Sequence, residues 1–110
     1  MASPNVGFNP DYSDDAPTLE QLDALTGDAL LEFGATWCGH CQAAAPAVRQ
    51  ALADHPRLPH IKVADGKGRP LGRAFRVKLW PTLILLRDGQ EVARLVRPSD
   101  ADQVAKLIRQ

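Results

Sequence analysis

Little in this sequence points to a nucleic acid, a membrane or a disulfide scaffold. Thirteen basic and thirteen acidic side chains cancel to a formal charge of zero, which argues against bulk nucleic-acid binding. No apolar run approaches membrane-spanning length. The opening stretch, MASPNVGFNPDYSDDAP, is acidic and broken by Pro4, Pro10 and Pro17. It therefore lacks the basic and apolar regions of a signal peptide, and a cytoplasmic location is the expectation. Repeats and heptads are absent. With only two cysteines in 110 residues, the chain has no disulfide framework to lean on and must fold by burying a core.

Basic residues are also missing from one half. None occurs before Arg49, while Asp11, Asp14, Asp15, Glu20, Asp23, Asp28 and Glu32 all lie in that stretch. Two solvated faces of opposite sign, paired across the fold, would account for this. A polarised surface that orients a charged partner would as well.

What is present suits a single domain of ordinary composition. Residues 1–17 read as an irregular segment that can supply at most an edge strand, around Val6–Phe8 or Pro10–Ser13. The domain proper runs over 18–110. Leu19, Leu22 and Leu25 mark a helix over Thr18–Thr26, stopped at Gly27. Ala29–Ala35 reads as a buried strand. A long helix follows from Cys38 to about Asp54, interrupted by Pro46. Ile61–Ala64 is a second strand, and Leu71, Ala74 and Phe75 face inward from a short helix. Thr82–Leu86 and Glu91–Val96 form a hairpin around Asp88-Gly89. Ser99 is placed to cap a last helix, with Asp102 in the capping-box position. Strands alternating with helices predict an α/β fold with a mixed sheet.

The two cysteines stand three positions apart, in Trp37-Cys38-Gly39-His40-Cys41, between a strand and a long helix. A helix N-terminus presents unpaired N–H groups and partial positive charge, which stabilise a thiolate. Only the thiolate attacks a disulfide. Cys38, at the turn, is expected to be exposed and to attack. Cys41, one turn on, is expected to resolve the mixed disulfide.

Four features together resemble the thioredoxin family over about Thr18 to Gln110. Trp-Cys-Gly-x-Cys follows a strand carrying Phe33-Gly34-Ala35. Pro46 lies five residues after the second cysteine. Pro81-Thr82 opens an apolar strand forty residues after Cys41. The Asp88-Gly89 hairpin and a terminal helix then follow in order. The resemblance implies a thioredoxin fold, with a mixed central sheet of four or five strands and helices on both faces. It implies that Pro81 is a cis-proline lying against the cysteines and shaping a substrate groove. It implies that Glu32 is a buried acid relaying protons to the resolving thiol, for which burial suits it. His40 stands where thioredoxins usually have proline, as in protein disulfide isomerase domains, and should make the pair more oxidising than a thioredoxin.

Three positions depart from the family's usual residues: Gly34 replaces a large aromatic, Trp80 an aliphatic residue or Thr, and Arg97-Pro98 a glycine. Trp80 either borders the groove or turns into the core. His55 and His60 flank prolines and read as loop residues without a role. Lys67, Arg69, Arg73, Arg76 and Lys78 form a basic cluster. It is either a solvated helix face or a glutathione-carboxylate site of glutaredoxin type. The expected activity is dithiol–disulfide exchange on protein substrates, with reduction as the expected direction. It needs no cofactor, and a recycling partner such as a thioredoxin reductase restores the dithiol. Neither nucleic acid nor membrane is an expected partner, and a monomer is expected. The rival readings are a glutathione-dependent reductase and a Cys-x-x-Cys metal site with Cys38, Cys41 and His40 as ligands. The second supplies too few ligands for a closed zinc site within one chain.

Overall fold

Apolar side chains fall on both faces of the first strand, Ala29, Leu31 and Phe33 on one and Leu30 on the other, so both faces must be covered. The computed structural model, which describes residues 6–110, shows how. The elements are α1 (Leu19–Asp23), β1 (Asp28–Gly34), α2 (Gly39–Leu52), β2 (His60–Ala64), α3 (Pro70–Ala74), β3 (Thr82–Arg87), β4 (Gln90–Val96) and α4 (Ala101–Ile108). Four strands form one sheet in the order β2-β1-β3-β4. The β1–β2 pair is parallel; β1–β3 and β3–β4 are antiparallel.

Alternation along β1 divides the core. Ala29, Leu31 and Phe33 pack with Ile61, Val63, Ile84 and Leu86 beneath Leu22 of α1 and Leu71 of α3. Leu30 points the other way. It packs with Leu83 and Leu85 against Val48 and Leu52 of α2 and Val104, Leu107 and Ile108 of α4. Helices thus cover both faces of a four-stranded sheet. Glu32, two residues beyond Leu30, shares the α2 face.

Among the described residues, the segment before α1 adds no fifth strand. Its ladder pairing with β2 and its approach is limited to isolated bridges, Val6 with Pro59 and Ser13 with Val63. Prolines and the Asn-Asp composition there interrupt any longer ladder. Residues 1–5 of the expected irregular segment lie outside the described residues.

Two helix ends differ from the sequence expectation. α1 stops at Asp23 rather than Thr26: the Leu25 N–H turns to the Leu22 carbonyl, three residues back, at 3.1 Å, which tightens and ends the last turn. The last helix is capped by Asp100, not Ser99. The Asp100 carboxylate accepts the Gln103 N–H at 2.9 Å, and the Gln103 side chain accepts the Ser99 N–H at 2.8 Å. A carboxylate one residue later serves the same orphan donor and suits the positive helix end better than a hydroxyl.

The charge asymmetry is met partly by pairing across the fold. Asp14 pairs with Arg69 and Asp28 with Arg87, each at 2.8 Å. Among the described residues no helix is long and apolar enough to cross a membrane.

Candidate active site

β1 ends at Gly34, and four residues later Cys38 becomes the N-cap of α2. Its backbone is extended (φ −78°, ψ 120°), and its Sγ accepts the Cys41 N–H at 3.3 Å. A sulfur thus stands where helices usually place a hydroxyl or carboxylate oxygen, at the positive end of a 14-residue helix. The turn is fixed by Cys38 N–H to the Ala35 carbonyl and by the Gln42 amide to the Thr36 carbonyl.

Cys38 was expected to be exposed; it is not. It is only 8% exposed, against 4% for Cys41. The reason is tertiary: Ala35, Cys41 and the half-buried Tyr12 and Trp80 close around it. The two sulfurs differ more in environment than in access. Burial, and then the hydrogen bond to Cys38, push the Cys41 thiol up to about 11, so it is held protonated near neutral pH.

Glu32 is 3% exposed, and both carboxylate oxygens are used. Oε1 lies 2.8 Å from His60 Nε2, and Oε2 accepts the Tyr12 hydroxyl. The Asn9 N–H donates to His60 Nδ1 at 2.9 Å. Nδ1 is therefore an acceptor, which places the ring proton on Nε2, where it donates to Glu32. Lys62, the parallel register partner of Glu32, donates to the Pro10 carbonyl at 3.1 Å and lies 4.1 Å from the Tyr12 ring centroid. Burial lowers the Lys62 pKa, while the charge of Glu32 opposes that shift.

His60 is therefore neither a loop residue nor without a partner. It begins β2 and is fully buried. Pairing with Leu30 starts the strand one residue before Ile61, directly after Pro59. Tyr12, Asn9 and Lys62 were also missed. For Lys62 a signal existed: His60 and Lys62 alternate with Ile61 and Val63, so they share the face of Glu32. For Tyr12 and Asn9 no local pattern exists.

Around the cysteines, the Trp80–Pro81 peptide is cis. Thr82 is buried, and its hydroxyl donates to the Leu79 carbonyl at 2.6 Å. Trp80 is half-buried at the rim rather than in the core. Its indole N–H donates to Asp65 at 2.9 Å, and Trp37, 76% exposed, meets it edge-on at 5.5 Å. Gly39 and His40 are exposed on the first turn of α2. Arg97, in a left-handed conformation (φ 51°), donates to the Trp80 carbonyl at 2.8 Å.

The basic cluster is not one helical face. α3 spans only Pro70–Ala74, so Arg69 is its N-cap and Arg76 lies beyond its end with φ 57°. Arg69 is committed to Asp14. Among the described residues no group of three His, Cys, Asp or Glu side chains is placed to hold a metal.

The arrangement has counterparts in known proteins. The family model for thioredoxin matches residues 16–110. A thioredoxin of Chlamydia trachomatis serovar D is 39% identical over 84 residues, covering 76% of this chain and 81% of that relative. The structure of thioredoxin 2 from Pseudomonas aeruginosa PAO1, in its reduced form, superposes with a TM-score of 0.79 at 50% identity, covering 96% of this chain and 92% of its own. The thioredoxin NaTrxh from Nicotiana alata superposes at 0.69 with 27% identity, covering 83% and 78%.

Proposed function

The chain belongs to the thioredoxin family of thiol–disulfide oxidoreductases, and on that footing we propose that it reduces protein disulfides with Cys38 as the attacking thiol and Cys41 as the resolving one. The observation that carries this reading is the asymmetry of the pair. Cys38 Sγ sits at the helix N-cap and accepts an N–H, whereas Cys41 is held as a neutral thiol one turn deeper.

In the forward direction the Cys38 thiolate attacks a substrate disulfide, forms a mixed disulfide and expels one substrate thiolate. Cys41 then loses its proton towards Glu32 and attacks Cys38 Sγ. The second substrate thiolate leaves, and Cys38 and Cys41 remain joined. Glu32 is the acceptor in this reading because it is a buried carboxylate on the face of the sheet that α2 covers, and its hydrogen bond to His60 holds it in place. In this reading Trp37 and Trp80 border the approach to Cys38, Gly39 and His40 flank it on the helix side, and the cis Pro81 and buried Thr82 shape the strand start that follows Trp80. A dithiol donor of the thioredoxin-reductase class returns the pair to its starting state. The reading includes a monomer working in the cytoplasm. The glutathione alternative is not favoured: the relatives are thioredoxins, and Arg69 of the basic cluster is already paired with Asp14.

The test is insulin reduction with single cysteine variants. Cys38→Ser should abolish turnover, and Cys41→Ser should trap mixed disulfides. Preferential labelling of Cys41 by limiting alkylating reagent would overturn the assignment of roles.

A further inference from the structure

Between Glu32 and Cys41 stands a side chain that the reaction as described does not use. Tyr12 comes from the irregular segment before α1, yet it is firmly placed. Its neighbour Ser13 donates to the Lys62 carbonyl at 3.0 Å and accepts from the Ala64 N–H at 2.9 Å, which ties the segment to β2. The Lys62 ammonium sits over the ring.

Gly34 makes room for the hydroxyl. A Cβ there would lie 2.6 Å from both Tyr12 Cζ and Oη, and 2.7 Å from Cys41 Sγ. No side chain larger than hydrogen fits at that position without displacing one of them. The phenol oxygen and the resolving sulfur therefore flank the same small volume. On its other side the hydroxyl donates to Glu32 Oε2.

We propose that the Tyr12 hydroxyl carries the proton between Cys41 and Glu32 in the resolving step, making Tyr12 a catalytic residue of this chain. The proposal rests on the reductase reading above. A hydroxyl both donates and accepts. As Tyr12 gives its proton to Glu32 Oε2, it takes the proton of Cys41 Sγ, and the phenol ends neutral. Cys41 becomes a thiolate and Glu32 a carboxylic acid. The thiolate attacks Cys38 Sγ of the mixed disulfide, the Cys38–substrate S–S bond breaks, and the substrate thiolate leaves with the electron pair. Glu32 returns its proton by the same path when the Cys38–Cys41 disulfide is next reduced.

A separate tyrosinate is disfavoured. Burial and the neighbouring charge of Glu32 push the phenol ionisation far above its ordinary range. The two protons must therefore move together. The titratable groups facing Tyr12 are Glu32 from β1, Cys41 from α2 and Lys62 from β2, with His60 on the far side of Glu32. Asp11 lies beside it in sequence.

The experiment follows release of thionitrobenzoate from its symmetrical aromatic disulfide by stopped flow. The first release reports attack by Cys38 and the second reports resolution by Cys41. In Tyr12→Phe the first release should be unchanged. The second should slow at least about tenfold near neutral pH, a lower bound on the roughly 10²–10⁴-fold that acid–base assistance usually contributes. The gap should narrow as alkali deprotonates Cys41 directly. In the unaltered protein, the second release should show a curved dependence on deuterium fraction, as two protons in flight require. This measurement stands even if the variant folds poorly. A second release unchanged in Tyr12→Phe, equal slowing of both releases, or a linear deuterium dependence would overturn the proposal. A wild-type protein that gives no second release would instead refute the reductase reading itself.

Discussion

Replacing His60 by Leu removes the donor to one oxygen of a carboxylate that is 3% exposed, and the cost follows from what is left behind. Glu32 Oε1 loses its 2.8 Å partner. A hydrogen bond to a charged group in such a place is worth about 1.5–3 kcal/mol. The Asn9 N–H also loses its acceptor, but Asn9 is half-exposed and water can reach it, so this adds on the order of 0.5–1 kcal/mol. Leucine is similar in size and returns roughly 1 kcal/mol through its apolar surface. The expected net loss is about 2 kcal/mol, or about 10 °C in melting temperature for a domain of this size. Urea melts of the reduced protein should show a lower midpoint at unchanged slope. The diagnostic comparison is the double variant Glu32→Leu/His60→Leu. If an orphaned buried carboxylate is the cause, removing it should recover stability. The double variant should then be more stable than the sum of the singles by about 1–2 kcal/mol. A His60→Leu protein within about 0.5 kcal/mol of wild type, the ordinary range for a surface change, would refute the reasoning, as would an additive cycle.

Three further outcomes are expected. Trp80→Ile removes the indole that donates to Asp65 and meets Trp37; it should cost about 1–2 kcal/mol, less than a fully buried aromatic, and change preference between two disulfide substrates in a paired assay. A larger stability loss with unchanged preference would mean that Trp80 serves packing alone. In Cys38→Ser, the midpoint for alkylation of Cys41 should stay above 9, because burial, the largest cause of its shift to about 11, remains. The sign is that of an acid whose folded pKa is raised: the buried thiol's contribution to stability is complete below about 9 and is lost as pH rises through about 11. Alkylation half-complete below 9 would contradict this. Finally, His40→Pro should make the pair more reducing in equilibrium with a glutathione buffer, since an imidazole at the helix start favours the dithiol. An unchanged potential would remove His40 from redox tuning.

What the sequence by itself determined is short-ranged. The 2- and 3.6-residue periods locate the strands and helices. The spacing of Cys38 and Cys41 places them on one turn, and Glu32 inside an apolar run stands where the resemblance to thioredoxins implies a buried acid. Each of these depends on residues a few positions apart, so a linear reading contains it. The environment of those groups depends on pairings across 20 to 51 positions: Tyr12 with Glu32, His60 with Glu32 and Asn9 with His60. These follow from β1–β2 register and from the docking of the irregular segment on β2, and register is a property of the assembled sheet. The same is true of Cys38, which a turn position marks as exposed. Tyr12 and Trp80, from segments far apart in the sequence, cover it. Gly34 shows the limit most clearly. In the sequence it is a missing aromatic; in the fold it is the space that Tyr12, from another segment, enters beside Cys41.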